Sequence, residues 1–230
     1  MIAVFVNAAT VILGSLLGIL LHKRLKEEHT KTVVACMGIC TMVIGMTGAI
    51  ATSNILIVIL CLVAGTVIGQ LLKLERRMDG AGDWLKARVA KKSGSRFTEG
   101  FVTASLLFCV GSMSIMGSFD AGLRGNYDII FAKSVMDGIM SVTFAATMGI
   151  GVAFAAVTVI IYQGALTLLA GVMEPVLTQS VITEMSAVGG VMLIATGMNI
   201  IGLTKERIQV GNMLPALIFP AIWFAVAGLF

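Results

Sequence analysis

Residues 129–173 read "IIFAKSVMDGIMSVTFAATMGIGVAFAAVTVIIYQGALTLLAGVM". These 45 residues contain only two charged side chains, Lys133 and Asp137. A helix needs about 20 apolar residues to cross the hydrocarbon of a bilayer. The run is therefore long enough for two crossings, with "GIG" at 149–151 as the turn between them. A single crossing with a re-entrant segment is the alternative. The choice sets the side on which everything downstream lies.

The rest of the chain has the same character. Of its 230 residues 58% are hydrophobic and 12% are charged, and its mean hydropathy is +1.01. Soluble domains carry about 25% charged residues. Half that charge cannot solvate a water-soluble surface of this size, so a bilayer covers much of it. The apolar runs are continuous and not alternating, which selects helices over barrel strands. Expected spans lie at about 2–21, 33–50, 55–72, 99–116, 134–149, 152–171, 185–203 and 213–229. The expected fold is all-α: a single transmembrane domain over 1–230, a polytopic bundle of about eight spans.

Charge fixes the orientation. Fourteen of the 16 Lys and Arg fall in the segments after spans one, three and seven. Eight crossings put all fourteen on one face, which the positive-inside rule makes cytoplasmic. Both termini then face outward. A re-entrant 129–173 would break this pattern, so eight is preferred. The net charge of +4 is topology information, and no nucleic-acid surface is read from it. In the basic loop 73–97, Asp83 is placed to cap a short interfacial helix that carries Trp84, Leu85 and Val89; a solvated basic loop that only fixes topology is the alternative. The first span has no basic residue before Lys23, which argues against a cleaved signal peptide.

Two internal echoes appear, and the second of them points to an inverted repeat. "GSLLGILL" (14–21) matches "GTVIGQLL" (65–72), both small-xxx-small stretches that let helices approach closely and that would suit a homo-oligomer. Gly38 and Gly45 are spaced like Gly190 and Gly197, on spans that run in opposite directions.

Ionisable groups inside a membrane are costly and each one needs an explanation. Asp137 is the first candidate. Ser134 and Ser141 share its helical face at i−3 and i+4, and a carboxylate flanked by hydroxyls can hold a cation or a proton. Lys133, four residues earlier, can instead neutralise it. Asp120 and Asp128 flank the Gly-rich "DAGLRGNYD", where a broken region between spans four and five would expose backbone groups. Gln163 with Thr167, Asn199 and Glu184 are further candidate lining. Asn7 reads as a helix-tying amide, and Pro215 and Pro220 as kinks in span eight. The four cysteines have no ligand spacing, so neither metal nor cofactor is expected.

"EGFVTASLLFCVGSMSIMGSFDAGL" (99–123), "AKSVMDGI" (132–139), "YQGALTLLA" (162–170), "EMSAVGGVM" (184–192) and "NMLPAL" (212–217) resemble a bacterial family of multi-pass membrane proteins, domain-of-unknown-function family 554. The resemblance covers essentially the whole chain. It implies a bacterial inner-membrane location and a transport role, and it brings no substrate or site residues with it. The expected function is a secondary transporter or ion-coupled permease for a small solute. The alternatives are an oligomeric channel and a structural membrane protein. No enzyme motif such as HExxH or GxSxG is present.

Overall fold

The computed structural model describes residues 1–22, 27–89, 96–109 and 111–227. Among them are α1 (Ile2–His22), α2 (Glu27–Ala49), α3 (Ile55–Leu72), α4 (Leu74–Val89), α5 (Phe97–Cys109), α6 (Ser112–Leu123), α7 (Asp128–Met148), α8 (Gly151–Met173), α9 (Gln179–Ile201), a 3-10 helix (Val210–Leu217) and α10 (Phe219–Ala227), with no strand. Lys23, Arg24, Lys26, Lys91 and Lys92, used above for orientation, lie outside the described residues.

Among the described residues, six helices are long and apolar enough to cross a membrane: α1, α2, α3, α7, α8 and α9. The apolar run 129–173 is two full helices, α7 and α8. Its turn sits at Gly149, whose φ of 82° suits glycine and whose N–H still closes onto the Ala145 carbonyl at 2.9 Å. The helix before that turn is longer than the expected 134–149, because it starts at Asp128, whose N–H is met by Asn126 Oδ1 at 3.0 Å. Similarly α9 starts six residues before the expected 185, on a Thr178 cap.

Two expected spans are not simple helices. The fourth is a bent pair: Phe97–Cys109 and Met113–Leu123 meet at 58°. The break therefore falls inside the fourth span, and neither between spans four and five nor in 129–173. The eighth begins as a 3-10 helix around Pro215 and turns α-helical from Phe219. A 3-10 helix rises about 2.0 Å per residue against 1.5 Å for an α-helix, so these two pieces together reach about 30 Å. In the basic loop, α4 starts at Leu74, so Asp83 lies within the helix and is not a cap. Its carboxylate accepts from Thr98 Oγ1 at 2.7 Å.

The chain forms two compact units. Unit one is Met1–Met37, Asp79–Cys109 and Met113–Gly171; unit two is Gly38–Met78, Val110–Ser112 and Val172–Phe230. In unit one, α1 and α7 run parallel. A methyl added at Gly14 would land on the Gly138 carbonyl, and one at Gly18 on the Val142 carbonyl. In unit two, α3 meets the 3-10 helix antiparallel, Gly65 on Ala216 and Gly69 on Asn212. The two matching GxxxG stretches thus serve seams of opposite sense, each filled within one chain.

The second echo is a seam with itself. Gly38 packs on the Gly197 carbonyl and Gly45 on the Gly190 carbonyl, so α2 and α9 cross antiparallel with reciprocal glycine contacts. An offset of 152 residues (179 − 27, 201 − 49) carries the bounds of α2 onto those of α9. The same offset carries "SLLG" (15–18) in α1 onto "TLLA" (167–170) in α8.

Candidate functional site: a buried polar network

Unit one buries a chain of side chains from four helices. Lys133 and Asp137 sit one turn apart on α7, and Lys133 Nζ donates to Asp137 Oδ2. Both are almost fully buried. The same carboxylate oxygen accepts from Asn7 Nδ2 of α1 at 3.1 Å. That amide nitrogen also donates to Gln163 Oε1 of α8 at 3.1 Å. Gln163 Nε2 then donates to Ser114 Oγ of α6 at 2.9 Å. The Lys133 ammonium lies 5.8 Å from the Phe108 ring centroid, which adds a cation–π contact on a second side.

Local sequence explains why these groups meet. Asn7, Val11, Gly14 and Gly18 recur on one face of α1, and all four are buried. The glycines let α1 approach the α7 backbone closely, and this brings an amide as short as Asn7's within reach of Asp137. Gly138 leaves room beside Asp137, where Thr10 packs.

The hydroxyls expected to flank the carboxylate face elsewhere. Ser134 Oγ donates to the Ile130 carbonyl and Ser141 Oγ to the Asp137 carbonyl, both at 2.7 Å. Hydroxyls in apolar helices commonly bond to the i−4 carbonyl in this way. Asp137's partners are instead Lys133 and Asn7. The short reach of an amide across a glycine seam is the one sequence signal that points to Asn7. For Ser114 the only trace is a hydroxyl on the buried side of an apolar run.

The remaining candidates are not members of this network. Asp120 is in the last turn of α6, paired with Arg124 at 2.8 Å, and it ties down the loop to Asn126. Asp128 is exposed at the start of α7. Glu184 and Asn199 belong to unit two. Glu184 is buried and accepts from Thr52 Oγ1 at 2.5 Å and from the Ser53 N–H at 2.9 Å. Asn199 makes a reciprocal pair with the Ile208 backbone, 2.8 Å each way. Further along unit two, Glu75 Oε2 accepts from the Gly211 N–H at 2.5 Å. Asn212 there bridges the Glu75 N–H, Gln70 and Gln209, each at 2.8 Å.

Residues 2–225 match the family described as a protein of unknown function, DUF554. The chain belongs to this family. It is 34% identical over 220 residues to the uncharacterised membrane protein YdfK of Bacillus subtilis, covering 94% of this chain and 92% of that protein. It is 31% identical over 232 residues to the uncharacterised protein YqgA of Escherichia coli, covering 96% and 98%. No solved structure matches the chain. Family membership and the six apolar helices make this an integral, multi-pass membrane protein.

Proposed function

We propose that this protein is a secondary transporter for a small solute, and that the buried network of unit one is where the solute or its coupling ion is handled. The observation that carries the reading is the Asp137–Lys133 pair joined through Asn7 and Gln163 to Ser114, deep in a chain built for lipid. A buried ion pair contributes little net stability, and intramembrane ionisable groups typically mark substrate, ion or proton pathways. A pair held only to stabilise helices has no need of a line of side-chain bonds across four of them.

The arrangement of helices adds support. The 152-residue offset relates α1 to α8 and α2 to α9, with opposite running directions in each case. Inverted repeats of this kind underlie alternating access in many carriers. The glycine seams are filled inside one chain, which favours a carrier over a pore assembled from copies. We read the protein as non-enzymatic and resident in the bacterial inner membrane with both termini outside. Contacts within each unit pair segments that this topology puts on one side, whichever side that is. In unit two, Glu184 joins the 52–53 loop, and Arg207 lies 3.6 Å from Glu75. In unit one, Gly151 packs on Phe97, while Ala3 and Val4 cluster with Ala121 and Ile130.

The test is a thermal-shift screen of purified protein in detergent, with Na⁺, K⁺, divalent cations, pH and small metabolites, in wild type and Asp137→Asn. A ligand at 100 times its dissociation constant stabilises by about 2.7 kcal/mol. A ligand-specific shift that vanishes in the variant is expected. Shifts that are identical in both proteins would remove Asp137 from the site.

A further inference from the structure

Among the described residues, four buried side-chain atoms have no hydrogen-bond partner: Asn7 Oδ1, Ser15 Oγ, Ser118 Oγ and Thr167 Oγ1. All four belong to unit one. Asn7, Ser15 and Ser118 are 0% exposed and Thr167 is 8% exposed. Elsewhere, buried hydroxyls such as Ser134, Ser141, Thr147 and Thr196 bond to carbonyls of their own helices. Ser15, Ser118 and Thr167 do not use that ready alternative. Leaving a buried polar group unmatched is strongly unfavourable, so their orientation is informative.

Their positions follow the network. Ser118 is one turn beyond Ser114 on α6, and Thr167 is one turn beyond Gln163 on α8. The two helices touch just past this level, where Gly122 packs on Thr167 and Ala170. Asn7 carries the unmatched oxygen on the same amide that bonds Gln163. Ser15 lies eight residues further along α1, about 12 Å. Unmatched polar atoms therefore flank the Asn7–Gln163–Ser114 links on both sides.

Charge narrows what such a row can accept. Among the described residues of unit one, the buried charged side chains are Lys133 and Asp137, and they neutralise each other. A solute with net charge would have no counter-charge there, a severe penalty at low dielectric. We infer that the row formed by Asn7, Ser118 and Thr167 binds a small uncharged solute rich in hydrogen-bonding groups, of the polyol or urea type. Such a solute donates to Asn7 Oδ1 and exchanges hydrogen bonds with the two hydroxyls, while the ion pair stays intact. This rests on the reading that unit one moves a solute.

The experiment is stopped-flow light scattering on proteoliposomes with glycerol and with urea as probes. Wild type is compared with Ser118→Ala/Thr167→Val, and Na⁺, K⁺ and proton fluxes are followed by dyes in parallel. Wild-type vesicles are expected to pass at least one neutral probe faster than protein-free vesicles. In the double variant the excess rate should fall about tenfold, for the loss of two hydrogen bonds. Its melting midpoint should be equal or higher, because each substitution removes an unmatched buried hydroxyl. Wild-type rates in the variant overturn the inference. So does an ion flux that depends on Asp137 with neither neutral probe passing, although the transport reading then stands. If no probe of either kind crosses, both fail.

Discussion

The two units bury polar groups to opposite ends. In unit two, Glu184, Glu75, Asn199 and Asn212 each bond to backbone groups of a loop or a helix start. Every such contact fixes where a chain segment enters or leaves a helix. In unit one, Asn7, Asp137 and Gln163 bond to one another's side chains across helices, and the unmatched atoms lie beside them. Side chains that hold backbone have one arrangement to maintain. The polar groups of unit two therefore read as latches, and those of unit one are the working site on the function proposed above.

This contrast can be broken by substitution. The largest effect is expected at the ion pair. Lys133→Met leaves Asp137 buried and uncompensated, which costs about 3–5 kcal/mol. Expression and melting midpoint should fall sharply. Lys133→Met/Asp137→Leu should recover most of that loss, because replacing a buried pair by apolar residues is often neutral, yet the recovered protein should not transport. Next comes the glycine seam. Gly18→Ile drives a side chain into the Val142 carbonyl, and overpacking of this kind costs about 1–3 kcal/mol. A drop in melting midpoint together with loss of flux is expected, since α1 carries Asn7.

Unit two should respond differently. Glu184→Gln weakens the bonds to Thr52 and Ser53 by about 1–2 kcal/mol. Hydrogen exchange at residues 52–54 should rise while flux stays near wild type. A loss of flux equal to that of the ion-pair variant would erase the distinction between the units. The smallest effect belongs to Arg124→Ala. Its guanidinium is 78% exposed, and surface pairs contribute about 0.2–1 kcal/mol. Chemical denaturation should barely detect it.

Much of this architecture is legible in the sequence, for physical reasons. Hydropathy marks the helices because lipid permits little else. The "GIG" turn is visible because glycine takes the positive φ found at Gly149. The break between α5 and α6 left no trace, since its apolar composition runs on unbroken and Gly111 is one glycine among 26. The eighth span could be read as kinked, but its 3-10 start depends on how it packs against α3. At the site, Asp137 stands out as a charge in an apolar run. Its partners do not: Asn7 and Gln163 meet across 156 positions, and no periodicity links them. Ser134 and Ser141 share its face, yet i−4 carbonyls claim their hydroxyls first. The matched spacing of Gly38 and Gly45 with Gly190 and Gly197 is visible as an echo, but that the two pairs pack on each other is a property of the fold alone.

The most direct test is flux through proteoliposomes for three proteins side by side: wild type, Lys133→Met/Asp137→Leu and Glu184→Gln. Glycerol and urea entry, and Na⁺, K⁺ and proton movement, are followed in each after melting midpoints confirm folding. The account predicts a flux in wild type that persists in Glu184→Gln and is abolished in the charge-free double variant. A folded double variant that carries the same flux as wild type would contradict it.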